Sequence, residues 1–329
     1  MKNFNWSKYS KPLILVAFFL ALTVLKGSTF LSVSNLSNVL WSVSVIGIMA
    51  CGTIFVFLIG GIDLSIATLA GFSAVTVVEV IHFFGDTDFA VFAGIVAAIC
   101  VGALAGCMHG LIITQFHIPA FLVTFATQSV FLGLSMVITG NKIVSCTAPA
   151  SFTAIGAMKI LGFPLPIYIM ILIALLSWFV LRKSEFGRYI YAVGGNATAS
   201  EISGINVRRA SVLCYVFSGV TTAIGGIVLA SMTQQAMAST GTGYTNDVIT
   251  AGVIGGVSLL GGEGTVPGVI FGTVLMGLLN NGLNLMSVPS TQSGLVKGLV
   301  IIVAVGFDAM QHQDQARKKS RRLLKKAAE

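Results

Sequence analysis

Charge is what this sequence most lacks. Asp, Glu, Lys and Arg together make up 9% of the 329 residues, against about 25% in soluble domains, and a soluble globular domain is excluded. No G-x-x-x-x-G-K-[ST] loop is present, so the chain lacks the usual cradle for ATP phosphates. GGEGT (261–265) has no following Lys and is no substitute. Neither G-x-S-x-G nor H-E-x-x-H occurs, and no nucleophile–base or metal set speaks for an enzyme. The four histidines, His82, His109, His117 and His312, show no ligand spacing. Four of the five cysteines lie in apolar segments, where Cys packs as a small hydrophobe. Only Cys146 falls in a loop, so no disulfide framework emerges. No run of intramembrane acids suggests proton or sodium coupling.

What is abundant is apolar sequence: 55% of residues are hydrophobic and mean hydropathy is +0.94. A spanning helix needs about 20 apolar residues. The expected fold class is an all-α polytopic membrane protein, with ten spans near 13–26, 38–59, 64–84, 89–113, 119–139, 164–181, 209–232, 247–262, 266–288 and 292–309. They fill the chain, so 1–329 reads as one transmembrane domain. Lys2, Lys8 and Lys11 before the apolar run Leu13–Leu25 mimic a secretory signal. No small-residue cleavage site follows, and the run is kept as the first span.

Lys and Arg set the orientation. With the N-terminus (1–12) in the cytoplasm, an even span count returns the basic tail (310–329) to the same side. Fifteen basic residues then lie in cytoplasmic segments and three, Lys26, Lys142 and Lys159, in outer loops. The net charge of +8 comes mostly from the tail and speaks to topology, not to nucleic acid. The outer intervals Gly140–Pro164, with room for a short helix, and Gln234–Asn246 are landing surfaces for an external partner or plain connections.

Glycine is frequent, at 37 residues. Gly102, Gly106 and Gly110 repeat every four residues, as do Gly252 and Gly256, and Gly268 and Gly272; this spacing lets helices approach closely in lipid. LIGGIDL (58–64) and VIGGVSL (253–259) echo each other at the inner ends of two spans, where paired glycines mark a bend or break.

Polar residues inside a membrane are costly and therefore candidates for a solute path. They are Asp63, Gln128, Asn280, Asn281, Asn284 and Lys297. Asp63 follows Gly60 and Gly61, and a helix cap competes with solute contact there. Asn280 and Asn284 share a helix face. Amides that donate and accept suit a neutral polyhydroxylated solute, and interhelical hydrogen bonding is the competing role. Lys297 sits at similar depth or snorkels outward. Asp247 reads as a cap, and Glu79 as water-facing.

The longest polar interval, Arg182–Arg209, separates two apolar halves. Within it Asn196 can cap a helix of about two turns, Ala197 to Ser203, and Gly204 can end it in the left-handed conformation. A short capped helix between spans six and seven suits docking to a partner on the basic side. An ordinary hairpin loop fits the spacing as well.

This interval resembles the cytoplasmic loop of ribose-type (simple sugar) permeases of bacterial ATP-binding cassette importers. The shared residues are Phe186, Gly187, Arg188, Ile190, Tyr191, Ala192, Gly194, Gly195, Asn196, Ala199, Ser203, Gly204, Ile205 and Asn206. Ser200 replaces a family Ala. GGIDLS (60–65) is similar too, with Ala67 for a usual Gly. GTGYTNDVITAGVIGGVSLLGGEGT (241–265) also matches, with Thr245 for an acid and Asp247 matching. NNGLNLM (280–286) and the segment from Lys297 to Asp308 complete the match.

The resemblance implies a permease pair working with two ATPase subunits inside and a sugar-binding protein outside, in the plasma (inner) membrane and its lipid. The pair is of two copies or of a paralogue. ATP and Mg would sit on the partner, with no cofactor in this chain. The loop 182–208 would supply the coupling helix, with Glu185, Phe186, Gly187, Arg188, Gly194, Gly195, Asn196, Ala199, Glu201, Gly204 and Ile205 at the ATPase contact. Related permeases move pentoses, hexoses or sugar-like molecules. A branched-chain amino-acid permease and a self-contained secondary transporter are the rivals. The GGIDLS and GGN-x-x-A-x-x-x-SGI patterns argue against the first, and the docking loop against the second.

Overall fold

The computed structural model describes residues 6–147, 149–289 and 292–299, with 302 and 306. The first and last stretches of the chain, including the basic tail 310–329, lie outside the described residues.

Two long helices open the chain, α1 (Trp6–Leu31) and α2 (Val33–Leu58); α3 (Ile66–Phe83), α4 (Asp88–Phe116) and α5 (Ala120–Thr139) follow. The two-residue strand β1 (Val144–Ser145) leads to the short helix α6 (Ala150–Ala157) and the hairpin β2 (Lys159–Ile160) and β3 (Phe163–Pro164). After α7 (Leu165–Lys183) come α8 (Glu185–Gly195), α9 (Ala197–Ile202) and α10 (Val207–Thr233). Then follow β4 (Gln235–Ala236), α11 (Tyr244–Ile254) and α12 (Val266–Leu285), and residues 292–299 are helical.

Among the described residues seven helices are long and apolar enough to cross a membrane: α2, α3, α4, α5, α7, α10 and α12. They coincide with the second to seventh and the ninth expected spans. The other three differ. The helix α1 is interrupted at Gly27, whose φ of 50° and ψ of −126° are non-helical. The eighth expected span, 247–262, is not one helix. It is helical only to Ile254, and Gly256, Gly261, Gly262 and Gly264 then take positive φ. Dense glycine loses too much backbone entropy in a helix to continue it. The tenth, 292–309, is helical over 292–299, and most of its remainder lies outside the described residues.

The bundle is centred on α2, whose most apolar stretch is 83% buried, whereas that of α5 is 28% buried. With no water to drive association, tight packing of small residues holds such helices together. The α4 stripe Gly102, Gly106 and Gly110 lies against the α10 backbone at Gly219, Tyr215 and Val212, where a Cβ would collide. Gly268 and Gly272 of α12 meet the carbonyls of Gly255 and Ala251 in the same way.

At one end the chain closes with short β pairings. β1 pairs antiparallel with β4, Val144 opposite Ala236, which joins the two loops expected to face outward. Cys146 is buried there, and burial, then the Asp86 charge, push its thiol up to about 11.

Candidate functional site

Two features at opposite ends of α2 carry the candidate residues. The first is a cavity of about 780 Å³ between the N-terminal end of α2, the start of α11, the C-terminal half of α12 and 292–299. That volume is in the range of small-molecule sites. Its walls include the amides Asn38, Asn246, Asn280, Asn281 and Asn284, the rings of Trp41 and Tyr244, and Lys297.

The depth of this cavity follows from α11. Eleven residues rise only about 16 Å, roughly half a bilayer core, so α11 is a half-helix. Its antiparallel neighbour α12 sets the register: Gly268 lies by Gly255, Gly272 by Ala251, and Asn280 by Asp247. Asn280 stands about 21 Å along α12 from Val266 and about 8 Å short of its end at Leu285, so the start of α11 opens within the length of α12, toward its C-terminal end.

Asp247, in the first turn of α11, is 4% exposed. Lys297 Nζ lies 2.9 Å from its Oδ1 and donates to its Oδ2 at 3.0 Å. Asn280 Nδ2 donates to Oδ2 at 3.0 Å. A half-buried Lys is thus paired and does not snorkel away. Asn280 Oδ1 is buried without a hydrogen-bond partner among the described residues. Asn281 forms a reciprocal amide pair with Asn35, at 2.7 and 3.1 Å, and Asn284 is exposed on the same wall. Trp41 is held by its Nε1–H donating to the Gly156 carbonyl of α6 at 2.8 Å.

Four of the six sequence-proposed path residues are therefore together: Asn280, Asn281, Asn284 and Lys297. Asp63 and Gln128 do not line this cavity. Asp63 is buried before α3, where its Oδ1 accepts from Ser65 N–H at 2.9 Å and Ser65 Oγ at 2.7 Å. Gln128 is half-buried on α5, which packs on α3 and α4. Sequence reasoning missed Asn35, Asn38, Trp41 and Tyr244. The i, i+3 spacing of Asn35 and Asn38 at the start of an apolar run was the available signal.

The second feature is the α8–α9 end. The α8 helix starts at Ser184, whose hydroxyl accepts from Gly187 N–H at 3.0 Å, with Glu185 favourable in the first turn. It was not foreseen as a helix. Its inner face buries Gly187, Ile190 and Val193, and Phe186 packs against the core. Its outer face carries Arg188, paired with Glu185 at 3.4 Å in the open. The α9 helix is the capped element the sequence suggested: Asn196 Oδ1 accepts from Ala199 N–H at 2.9 Å, and Gly204 ends it at φ 86°. Gly195, Asn196, Ala199, Glu201 and Gly204 are exposed, Ile205 is half-buried, and Ile202 is 84% exposed.

At Gly194, near the end of α8, backbone meets backbone. A Cβ on Gly194 would run into the Leu58 carbonyl and the Gly262 amide, and Gly262 N–H donates to Leu58 O at 2.8 Å. Gly261 faces Gly60 and the Gly194 carbonyl. Tyr191 Oη donates to Gly264 O at 2.8 Å, and its partial burial raises its pKa above the ordinary tyrosine value against a smaller opposing pull from Arg182. The first echoing stretch, 58–64, thus meets α8 and the residues just after the second, Leu260 to Gly262, at one point.

A bundle of long apolar helices with a polar cavity toward one end and an exposed short helix at the other has the build of a multi-pass membrane protein. A family model described as branched-chain amino acid transport system / permease component matches residues 35–305, and the chain belongs to that family. It is 34% identical over 312 residues to the ribose import permease protein of Haemophilus influenzae, covering 93% of this chain and 95% of the relative. It is 38% identical to the ribose import permease protein of Bacillus subtilis, covering 85% and 86%. It is 32% identical to the L-arabinose transport system permease protein of Escherichia coli K12, covering 92% and 90%. No solved structure matches it.

Proposed function

We propose that this chain is the membrane-spanning permease subunit of a binding-protein-dependent ATP-binding cassette importer that carries a simple sugar, a pentose, hexose or sugar-like molecule, across the bacterial plasma membrane. The observation that carries the reading is near full-length similarity to ribose and arabinose permeases. The family description names branched-chain amino acids. The sugar reading prevails over it because the relatives that match along most of the chain are named for pentoses, and because five amides stand among the rings and aliphatic side chains of the cavity wall.

In this reading ten segments cross the membrane: the seven long helices, α1, α11 with the glycine-rich stretch after it, and the segment beginning at 292. The even count puts both termini and the α8–α9 loop in the cytoplasm, in keeping with the basic-residue bias. The α9 helix with the outer face of α8 then serves as the coupling element, placed against a partner ATPase that binds ATP and Mg. Glu185, Arg188, Asn196, Ala199 and Glu201 face that partner, while Gly187, Gly194 and Ile205 fix the element to the bundle. The opposite end receives solute from an external sugar-binding protein. A second permease, identical or related, completes the membrane unit. This chain itself is not an enzyme.

The test is uptake by cells expressing the chain with its ATPase and binding protein. Labelled D-ribose, L-arabinose, D-galactose and L-leucine are offered in turn. ATP-dependent uptake of a sugar, lost when the permease is omitted, is expected. Uptake of L-leucine with no sugar uptake would place the chain with the amino-acid permeases. For sidedness, an impermeant thiol reagent on intact cells should reach a cysteine placed at Ser151 and miss one at Glu201.

A further inference from the structure

We propose that the permease itself holds the sugar during transit, at a station formed by Asp247, Asn280 and Lys297. This rests on the sugar-permease reading and adds to it a named contact point inside the membrane.

The argument counts donors and acceptors. An ammonium has three N–H donors and a carboxylate about four lone-pair sites. The Asp247 carboxylate receives Lys297 and the Asn280 amide, which leaves Lys297 a donor with no partner among the described residues. Asn280 Oδ1 is a buried acceptor with no partner among the described residues. A buried acceptor left unpaired is costly, and a ligand that donates to it removes the cost. A hydroxyl donates and accepts at once, and once the Asn280 amide turns toward the cavity, two neighbouring hydroxyls match its acceptor and the Lys297 donor together. Trp41 and Tyr244 add apolar ring faces to the same cavity, suited to the C–H face of a sugar ring.

The charges narrow the class further. Asp247 and Lys297 neutralise each other, so an anionic or cationic solute meets one like charge. A zwitterionic amino acid brings a like charge close to each member of the pair as well as an opposite one. Neutral hydroxyls bring none. The ligand class is therefore a neutral monosaccharide.

The experiment uses the full chain in lipid nanodiscs. Trp6→Phe with Trp178→Phe leaves Trp41, in the cavity wall, as the sole indole. Its emission is titrated with D-ribose, L-arabinose, the monodeoxy riboses and L-leucine, with no binding protein present. D-ribose or L-arabinose should change the emission saturably, and at least one deoxy analogue should bind about tenfold more weakly. Asn280→Leu, which leaves the ion pair in place, should bind the parent sugar as weakly as that analogue and no longer distinguish the two. A merely structural Asn280 would weaken every sugar alike and keep the discrimination. Lys142→Ala, outside the cavity, should titrate as the parent does.

A Trp41 signal that ignores both sugars, or answers L-leucine instead, overturns the station. So does an Asn280→Leu variant that keeps the hydroxyl discrimination. If the station fails in this way while the complete importer still carries sugar, the proposed function stands. If the importer carries no sugar, both fall.

Discussion

The two ends of α2 are built on opposite principles. At the C-terminal end, Leu58, Gly60, Gly194, Gly261 and Gly262 meet backbone to backbone, with no room for a Cβ on Gly194. At the N-terminal end, amides, an ammonium and aromatic rings stand around open space. A joint of bare backbone has no rotamers to absorb a push, because close-packed interiors transmit strain instead of yielding to it. A wall of long polar side chains can rearrange around a solute. The first arrangement suits passing on a displacement of α8 and α9, the second suits accommodating a cargo.

The sharpest way to break this contrast is to thicken the backbone joint. Gly194→Val would drive a branched side chain into the Leu58 carbonyl and the Gly262 amide. Sugar uptake should fall to background, with ATPase association and membrane level measured beside it. Uptake within twofold of the parent would mean that the joint is loose.

Next in size is the ion pair at the other end. Lys297→Met leaves the Asp247 carboxylate buried without its cation, and removing one partner of a buried pair typically costs about 3–5 kcal/mol. The yield of monodisperse protein should drop severalfold. Asp247→Asn combined with Lys297→Met should recover most of it, because two neutral groups leave no bare charge. Equal yields for the single and double variants would show that the pair does not hold α11.

A smaller effect is expected at Gly204. It has φ 86° and open space beside it, so a side chain meets strain but no clash, at a cost of about 1–2 kcal/mol. Gly204→Ala should reduce uptake a few-fold, and Gly194→Ala more, in the same assay. The reverse order would argue that local conformation, not the backbone joint, governs this end.

The parts legible in the sequence and the parts that were not divide along the same line. Long apolar runs fix helices through local chemistry, so seven expected spans were found close to their bounds. The cap at Asn196 was readable for the same reason, since a cap needs only its own neighbours. The half-helix α11 was readable only in part: the paired glycines of 253–259 signalled a break, which falls after Ile254, but hydropathy still ran 247–262 together as one span. The grouping of Asn280 with Asp247 and Lys297 was not readable, since it depends on how α12 packs. Asp247 read as a cap because its partner, Lys297, lies fifty residues away. The α8 helix was hidden by its glycines, whose role is to let α8 lie on the backbones of α7 and α2.

The smallest effect sharpens the comparison within α8 itself. Its inner face, with Gly187 and Ile190, is packed, while Arg188 and Glu185 form a pair in the open, 3.4 Å apart. Exposed pairs contribute little to stability, because water and salt screen them and holding two long side chains costs entropy. Arg188→Ala should therefore leave the thermal midpoint of the purified permease at the parent value. A charge that meets an opposite charge on a partner acts instead on association, and rim charges act through the on-rate and its salt dependence. Copurified ATPase should fall modestly for Arg188→Ala, and the loss should be larger at low salt than at high salt. Phe186→Ala, on the packed side, should lower the thermal midpoint first. If Arg188→Ala destabilised the isolated permease as much as Phe186→Ala, the outer face of α8 would be part of the bundle's own packing and not a surface kept for a partner.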